Sequence, residues 1–195
     1  MSGNDEISDL AYRMNGMLGT LEQANDKLAF LAERDPLTGV FNRRQFRIRF
    51  EMELEETLRM GDTGALAWLD LDGFKEVNDR LGHAVGDAVL KGFAGRLRDE
   101  SRAYSVIGRL GGDEFALILP HVEEQEAIAA CERLVGATRR TPIRVRGQAV
   151  PVAVSAGVVL FPRDGTDMTE LLAKADEALY HSKSEGRSRV SVYRR

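Results

Sequence analysis

The chain has 195 residues, 43% of them hydrophobic and 30% charged, which suits one globular domain with a full core plus a smaller element. A formal net charge of -4 excludes a protein whose main task is to coat nucleic acid or an anionic membrane, because both depend on many uncompensated Lys and Arg. Its single cysteine, Cys131, excludes an intramolecular disulfide and a zinc cluster, which suits a reducing, cytoplasmic setting.

From the amino terminus, the apolar positions Ile7, Leu10, Met14, Met17, Leu21, Ala24, Leu28 and Leu31 recur in steps of three and four. That heptad seam predicts a two-stranded parallel coiled coil over residues 1–33, and with it a homodimer. A lone amphipathic helix folded on the core is the alternative, and Asn15, Gly16 and Gly19 weaken it. Asp35-Pro36-Leu37-Thr38-Gly39 breaks the helix, so a second domain runs over 34–195. A helix is predicted from Arg43 to about Met60, then a turn at Gly61–Gly64. The apolar run Ala65–Leu71 predicts a strand buried on both faces. Helices are expected at about Asp87–Asp99, Glu123–Arg139 and Met168–Ser184, and strands at Val106–Leu110, Phe115–Leu119, Val150–Val159 and Arg189–Val192. This order predicts an α/β (α+β) sandwich whose mixed, mostly antiparallel sheet carries helices on its faces. No run of about eighteen apolar residues and no basic-then-apolar leader is present, so the chain is expected to be soluble.

Two acidic features carry chemistry. Gly111-Gly112-Asp113-Glu114 separates two apolar strands, so the glycines permit a tight reversal and leave Asp113 and Glu114 at its tip, on opposite faces or nearly so. Such a tip is equally consistent with a solvated turn. Asp70-Leu71-Asp72 ends the predicted central strand, where an unpaired carboxylate is costly and a bound cation would explain its presence. Magnesium favours one or two carboxylates together with waters and substrate phosphates. Asp70 is the better ligand candidate, whereas Asp72 is expected to pair with Lys75. If the two elements are neighbours, Asp70, Asp113 and Glu114 converge as in two-metal sites for displacement at phosphorus. Lys75, Lys183 and Arg187 offer positive charge to phosphate oxygens. Asn78 and Asp87 alone would pass for helix caps and His83 for a loop histidine.

Together these residues resemble the GGDEF-domain diguanylate cyclases from about Asp35 to Tyr193. The resemblance rests on Asp35 to Arg43, on Asp70 to Asp79 with Gly82-His83 and Gly86-Asp87, on Arg109 to Phe115, and on Ala175 to Tyr180 with Lys183 and Gly186-Arg187. It implies a palm-like fold similar to adenylyl cyclase cores, and condensation of two GTP into cyclic di-GMP with release of two pyrophosphates. Each domain of a dimer would hold one GTP. Carried over by position, Asp70, the Leu71 carbonyl, Asp113 and Glu114 would hold two magnesium ions (manganese being possible) per half-site. Asp113 would assist deprotonation of the 3′-hydroxyl, and Glu114 and Lys75 complete the implied catalytic set. Asn78 and Asp87 would read the guanine edge, His83 and Arg109 would lie on the substrate side, Phe74 and Lys75 would line the phosphate turn, and Lys183 and Arg187 would bind the β- and γ-phosphates. Asp87 can accept from guanine N1 and N2, donors that adenine lacks.

The sequence departs from the family where Arg-x-x-Asp usually forms an inhibitory site for the product. Here the segment is Arg102-Ala103-Tyr104-Ser105, so the carboxylate is absent and weak product inhibition is expected. Ser188 and Ser182 replace the usual Asn and Ala, with little effect expected. Residues 5–17 resemble the last helix of a HAMP signalling module, which implies that membrane contact, if any, is made by other regions of a longer inner-membrane parent. A catalytically silent module that binds GTP or cyclic di-GMP and relays a signal is the competing expectation, and retention of Asp70, Asp113 and Glu114 weighs against it.

Overall fold

The computed structural model describes Met14, Met17, Leu18, Phe30 and residues 32–194. The predicted coiled coil and the HAMP-like stretch therefore lie almost wholly outside the described residues. Strand β1 (Phe41–Asn42) leads into helix α1 (Arg43–Met60), β2 (Gly64–Asp72), α2 (Phe74–Leu81) and α3 (His83–Glu100). Then come β3 (Val106–Gly111), β4 (Glu114–Pro120), α4 (Glu124–Arg140), β5 (Ile143–Val145), β6 (Gln148–Val150), β7 (Ala153–Phe161), α5 (Met168–Ser184) and β8 (Val190–Val192). The main sheet has the order β1-β3-β4-β2-β7-β8. Its inner pairings are antiparallel and its two outer pairs, β1 with β3 and β7 with β8, are parallel. This is the mixed, mostly antiparallel sandwich expected.

The period of two along a strand builds a core on each face. Odd residues of β2 (Ala65, Ala67, Leu69, Leu71) join Phe93 and Leu97 of α3 and Cys131 and Leu134 of α4 in one cluster. Leu66 of β2 packs with Phe46 and Phe50 of α1, Phe161 of β7 and Leu171 of α5 in the other. Edge-on aromatic pairs lock both layers, Phe93 on Phe115 at 5.1 Å and Phe50 on Phe161 at 5.5 Å between ring centres. Cys131 is wholly buried in α4, which pushes its thiol up to about 12 and leaves it unreactive packing. Gly157 lets α5 lie directly on β7, since a Cβ there would stand 2.1 Å from the Ala175 carbonyl oxygen. That close seat carries the last turn of α5, with Lys183, to the end of β2.

Several elements differ from expectation. The strand predicted at Val150–Val159 is two, because Pro151 has no N–H to donate to a ladder. The first part, β6, pairs instead with β5 in a separate hairpin closed by Arg146 and Gly147, both with positive φ. The segment after Asp72 is helical as α2, and α3 starts at His83 rather than Asp87, a boundary masked by a run of polar residues and by the Gly82 junction. Strand β1 is too short to leave a pattern.

Candidate active site

Residues from four parts of the chain meet at the carboxyl end of β2. Antiparallel pairing sets Asp70 directly across from Glu114 on β4 and from Ser155 on β7. Even-numbered β2 residues face α1 and α5, so Asp70 and Glu114 project toward the same side. Asp113 stays in the turn, where its carbonyl accepts from the Leu71 N–H at 3.4 Å. A bulge between Arg109 and Gly111 tightens the hairpin. A cleft of about 560 Å³ opens over these residues, lined among others by Asp70, Asp113, Phe74, Lys75, Lys183 and Arg187. Helix α2 starts at its edge behind Gly73, whose φ of 71° suits glycine, and no side chain caps it. Its amino terminus therefore presents backbone N–H groups and a positive dipole end to the cleft.

The electrostatics are those of crowded acids. Burial pushes the Asp70 carboxyl above its ordinary value, against the pull of the Lys183 ammonium 2.9 Å away, and Asp113 and Asp72 push it further. Burial also raises Glu114, helped by Asp70, Asp113 and Asp176 and opposed by Lys183. One ammonium leaves these carboxylates undercompensated, so the donor set fits a hard divalent cation. Among the described residues no three His, Cys, Asp or Glu side chains close on a single point. An ion here would complete its shell with water, backbone carbonyl and phosphate oxygens, as magnesium commonly does.

The remaining candidates divide. Asn78 is half-buried against Gly86, where a Cβ would stand 1.9 Å from its side-chain oxygen, and this contact brings Asn78 beside the turn that carries Asp87. His83 and Asp87 are exposed on the first turns of α3. Arg109 lies behind the hairpin and not in the cleft lining: its guanidinium donates to the Gly112 carbonyl at 2.7 and 3.0 Å and to Asp35 at 3.0 Å. Asp72 does not pair with Lys75. It accepts from the Ser155 hydroxyl at 2.8 Å and the Ser188 N–H at 3.0 Å, partners too distant in sequence for spacing to reveal. Ser182 is also more than a neutral replacement, since its buried hydroxyl donates to the Ala156 carbonyl at 2.7 Å and meets Ser191 at 2.8 Å, fastening α5 to β7 and β8. Arg102 reaches the Tyr104 hydroxyl at 2.9 Å and Glu126 at 3.7 Å, and the buried Ser105 hydroxyl has no partner among the described residues. Sequence inspection gives Gly86 and Asp176 as motif positions without a role, and misses Ser155, which carries no local signal.

Comparison with known proteins agrees with this geometry. The family described as "Diguanylate cyclase, GGDEF domain" matches residues 32–189. The chain is 38% identical over 181 residues to MucR of Pseudomonas aeruginosa, a bifunctional diguanylate cyclase/cyclic di-GMP phosphodiesterase, covering 93% of this chain and 26% of MucR. It thus spans about a quarter of that relative. The diguanylate cyclase SiaD of the same organism, solved with its activator SiaC, superposes with a TM-score of 0.79 at 36% identity, over 96% of this chain and 72% of SiaD. The coiled coil and GGDEF domain of DgcB from Caulobacter crescentus, solved with cyclic di-GMP, gives 0.79 at 28% identity over 98% of this chain and all of that one. The chain belongs to the GGDEF-domain family of diguanylate cyclases.

Proposed function

We propose that this chain condenses two GTP into cyclic di-GMP, with release of two pyrophosphates, as a dimer in which each copy supplies one half-site. The observation that carries this reading is the pairing of Asp70 with Glu114 across the central ladder, beside a cleft holding Asp113, Lys75, Lys183 and Arg187. Lys75 favours departure of pyrophosphate by binding its growing charge, while Lys183, Arg187 and the first turn of α2 bind the β- and γ-phosphates. To do so Lys183 gives up its contact with Asp70, which is open to exchange for a stronger cation. Asp113 accepts the proton of the 3′-hydroxyl as that oxygen attacks the α-phosphorus of the GTP on the facing copy. Two magnesium ions, or manganese in their place, held by Asp70, the Leu71 carbonyl, Asp113 and Glu114, would supply Lewis-acid activation of the hydroxyl and neutralise the triphosphate. Asn78 and Asp87 read the guanine edge, and His83 and Phe74 flank the nucleotide. Arg109 shapes the hairpin by bridging Asp35 and the Gly112 carbonyl.

Residues 1–33 hold two copies together as a parallel pair, raising the effective concentration of one half-site near the other. The cytoplasm, with its GTP pool, is the setting this requires, and any membrane anchor belongs to a longer parent. Product inhibition through Arg102 and Ser105 is weak, because Ser105 brings no charge and Arg102 already has Glu126 and Tyr104 as partners. The test is to incubate purified protein with GTP and magnesium across protein concentration and to measure cyclic di-GMP and pyrophosphate. A rate rising faster than linearly until dimers saturate is expected. GTP binding with no product at dimeric concentrations would instead establish a silent relay module.

A further inference from the structure

We infer that Asp72 is a positioning residue, whose carboxylate holds the turn after α5 in a left-handed backbone and thereby aims Arg187 into the cleft. The inference rests on the phosphate-binding role proposed for Arg187. Behind it stands a conformational oddity. Gly186, Arg187 and Ser188 have φ of 112°, 60° and 50°, so two successive non-glycine residues occupy the left-handed region. L-residues with a Cβ avoid that region, and a pair of them persists only where the surroundings over-determine the backbone.

The surroundings do so here. The Ser188 N–H donates to Asp72 at 3.0 Å and to the Ser155 hydroxyl oxygen at 3.1 Å, while that hydroxyl donates to both Asp72 oxygens, at 2.8 and 3.0 Å. On either side, the Arg187 N–H donates to the Ser182 carbonyl at 3.0 Å and the Ala156 N–H to the Arg189 carbonyl at 2.9 Å. The turn is thus pinned at three successive residues from Arg187 to Arg189 by α5, β7 and the last residue of β2. Asp72 is the charged anchor among these contacts, and an ionised acceptor makes the stronger bond to an N–H. The Ser188 hydroxyl has no partner among the described residues, so only the backbone of that residue serves the anchor. Asp70 and Asp72, two residues apart on one strand face, therefore divide the work: one carboxylate faces the reacting phosphates, and the other orients the arginine that holds them.

The test compares GTP KM, kcat and the magnesium requirement of the full chain with those of Asp72→Ala, Ser155→Ala, Arg187→Ala and the double variant Asp72→Ala/Arg187→Ala. Arg187→Ala and Asp72→Ala are each expected to raise KM by about tenfold, with kcat changed far less. In the double variant the second change should add under about twofold, since both remove the same interaction. Ser155→Ala, which alters no charge near Asp70, should raise KM about threefold at an unchanged magnesium requirement. Adding Ser188→Gly to Asp72→Ala should recover most of the lost affinity, because glycine takes the left-handed conformation freely. Multiplicative effects in the double variant, failure of the glycine rescue, or a changed magnesium requirement with KM intact would overturn the inference. An unchanged KM in Arg187→Ala would refute the phosphate role itself, and a raised KM there with Asp72→Ala silent would refute the positioning role alone.

Discussion

Asp35 and Asp164, on turns at the periphery, sit below the ordinary carboxylate range, whereas Asp70 and Glu114, at the mouth of the sheet, sit above it. Burial pushes all four upward. For Asp35 the Thr38 hydroxyl and N–H and the Arg109 guanidinium outweigh burial. For Asp164 the Arg163 guanidinium and the Leu160 N–H do so. At the mouth, one lysine faces several acids, and burial wins. The peripheral carboxylates are satisfied by the fold and support it, while the central ones are left undercompensated and weaken it until a cation arrives. Such a trade of stability against activity is common at active sites.

The opposite shifts give opposite pH dependence. A depressed carboxyl contributes stability that is present above its unfolded value, near 3.8 for Asp, and lost as pH falls through the folded value. A raised one favours the fold while protonated, so its contribution is present below the unfolded value, 3.8 for Asp70 and 4.5 for Glu114, and lost as pH rises through the folded value. The largest effect should come from Glu114→Gln, which is expected to lower cyclic di-GMP synthesis by about a hundredfold or more. The same change should raise the stability of the metal-free domain at neutral pH by about 1 kcal/mol. Urea melts across pH check the second part: the gain should shrink as the medium is acidified and Glu114 protonates, and a loss of stability at neutral pH would break the contrast. Asp35→Asn should act in the reverse sense, costing about 2 kcal/mol at neutral pH because it leaves Arg109 without its carboxylate, with a smaller cost in acid. The smallest effect is expected from Gly86→Ala. Its methyl displaces the Asn78 side chain, so the preference for GTP over ATP, measured as kcat/KM, should fall roughly tenfold with little change in fold stability.

Sequence legibility followed distance along the chain. The hairpin tip, Asp70 and the buried β2 strand could be read because the residues that define each are consecutive and their period of two is explicit. The register that sets Asp70 against Glu114 follows from one hairpin and one neighbouring strand, so convergence of the acids was foreseeable. The clamp on Asp72 was not, since Ser155 and Ser188 lie 83 and 116 residues away and serine in a strand or turn carries no signal of its own. Lys183 was recognised as cationic, but its ion pair with Asp70 depends on how closely α5 sits on Gly157, a packing detail without a motif. The family resemblance places Arg109 on the substrate side, and only the fold shows Asp35 beside it.

The most direct test of the undercompensated mouth is thermal denaturation of the parent and of Glu114→Gln at neutral pH, with magnesium, with 3′-deoxy-GTP, and with both. That nucleotide carries the triphosphate but no attacking hydroxyl, so binding is read without turnover. At a hundredfold excess over Kd, linkage gives a stabilisation of roughly 2.7 kcal/mol. The parent should gain on that order only when both are present, and Glu114→Gln, already more stable without metal, should gain less than half as much. An equal gain in the two proteins, or a full gain in the parent without magnesium, would contradict the assignment of these carboxylates to a metal–nucleotide site.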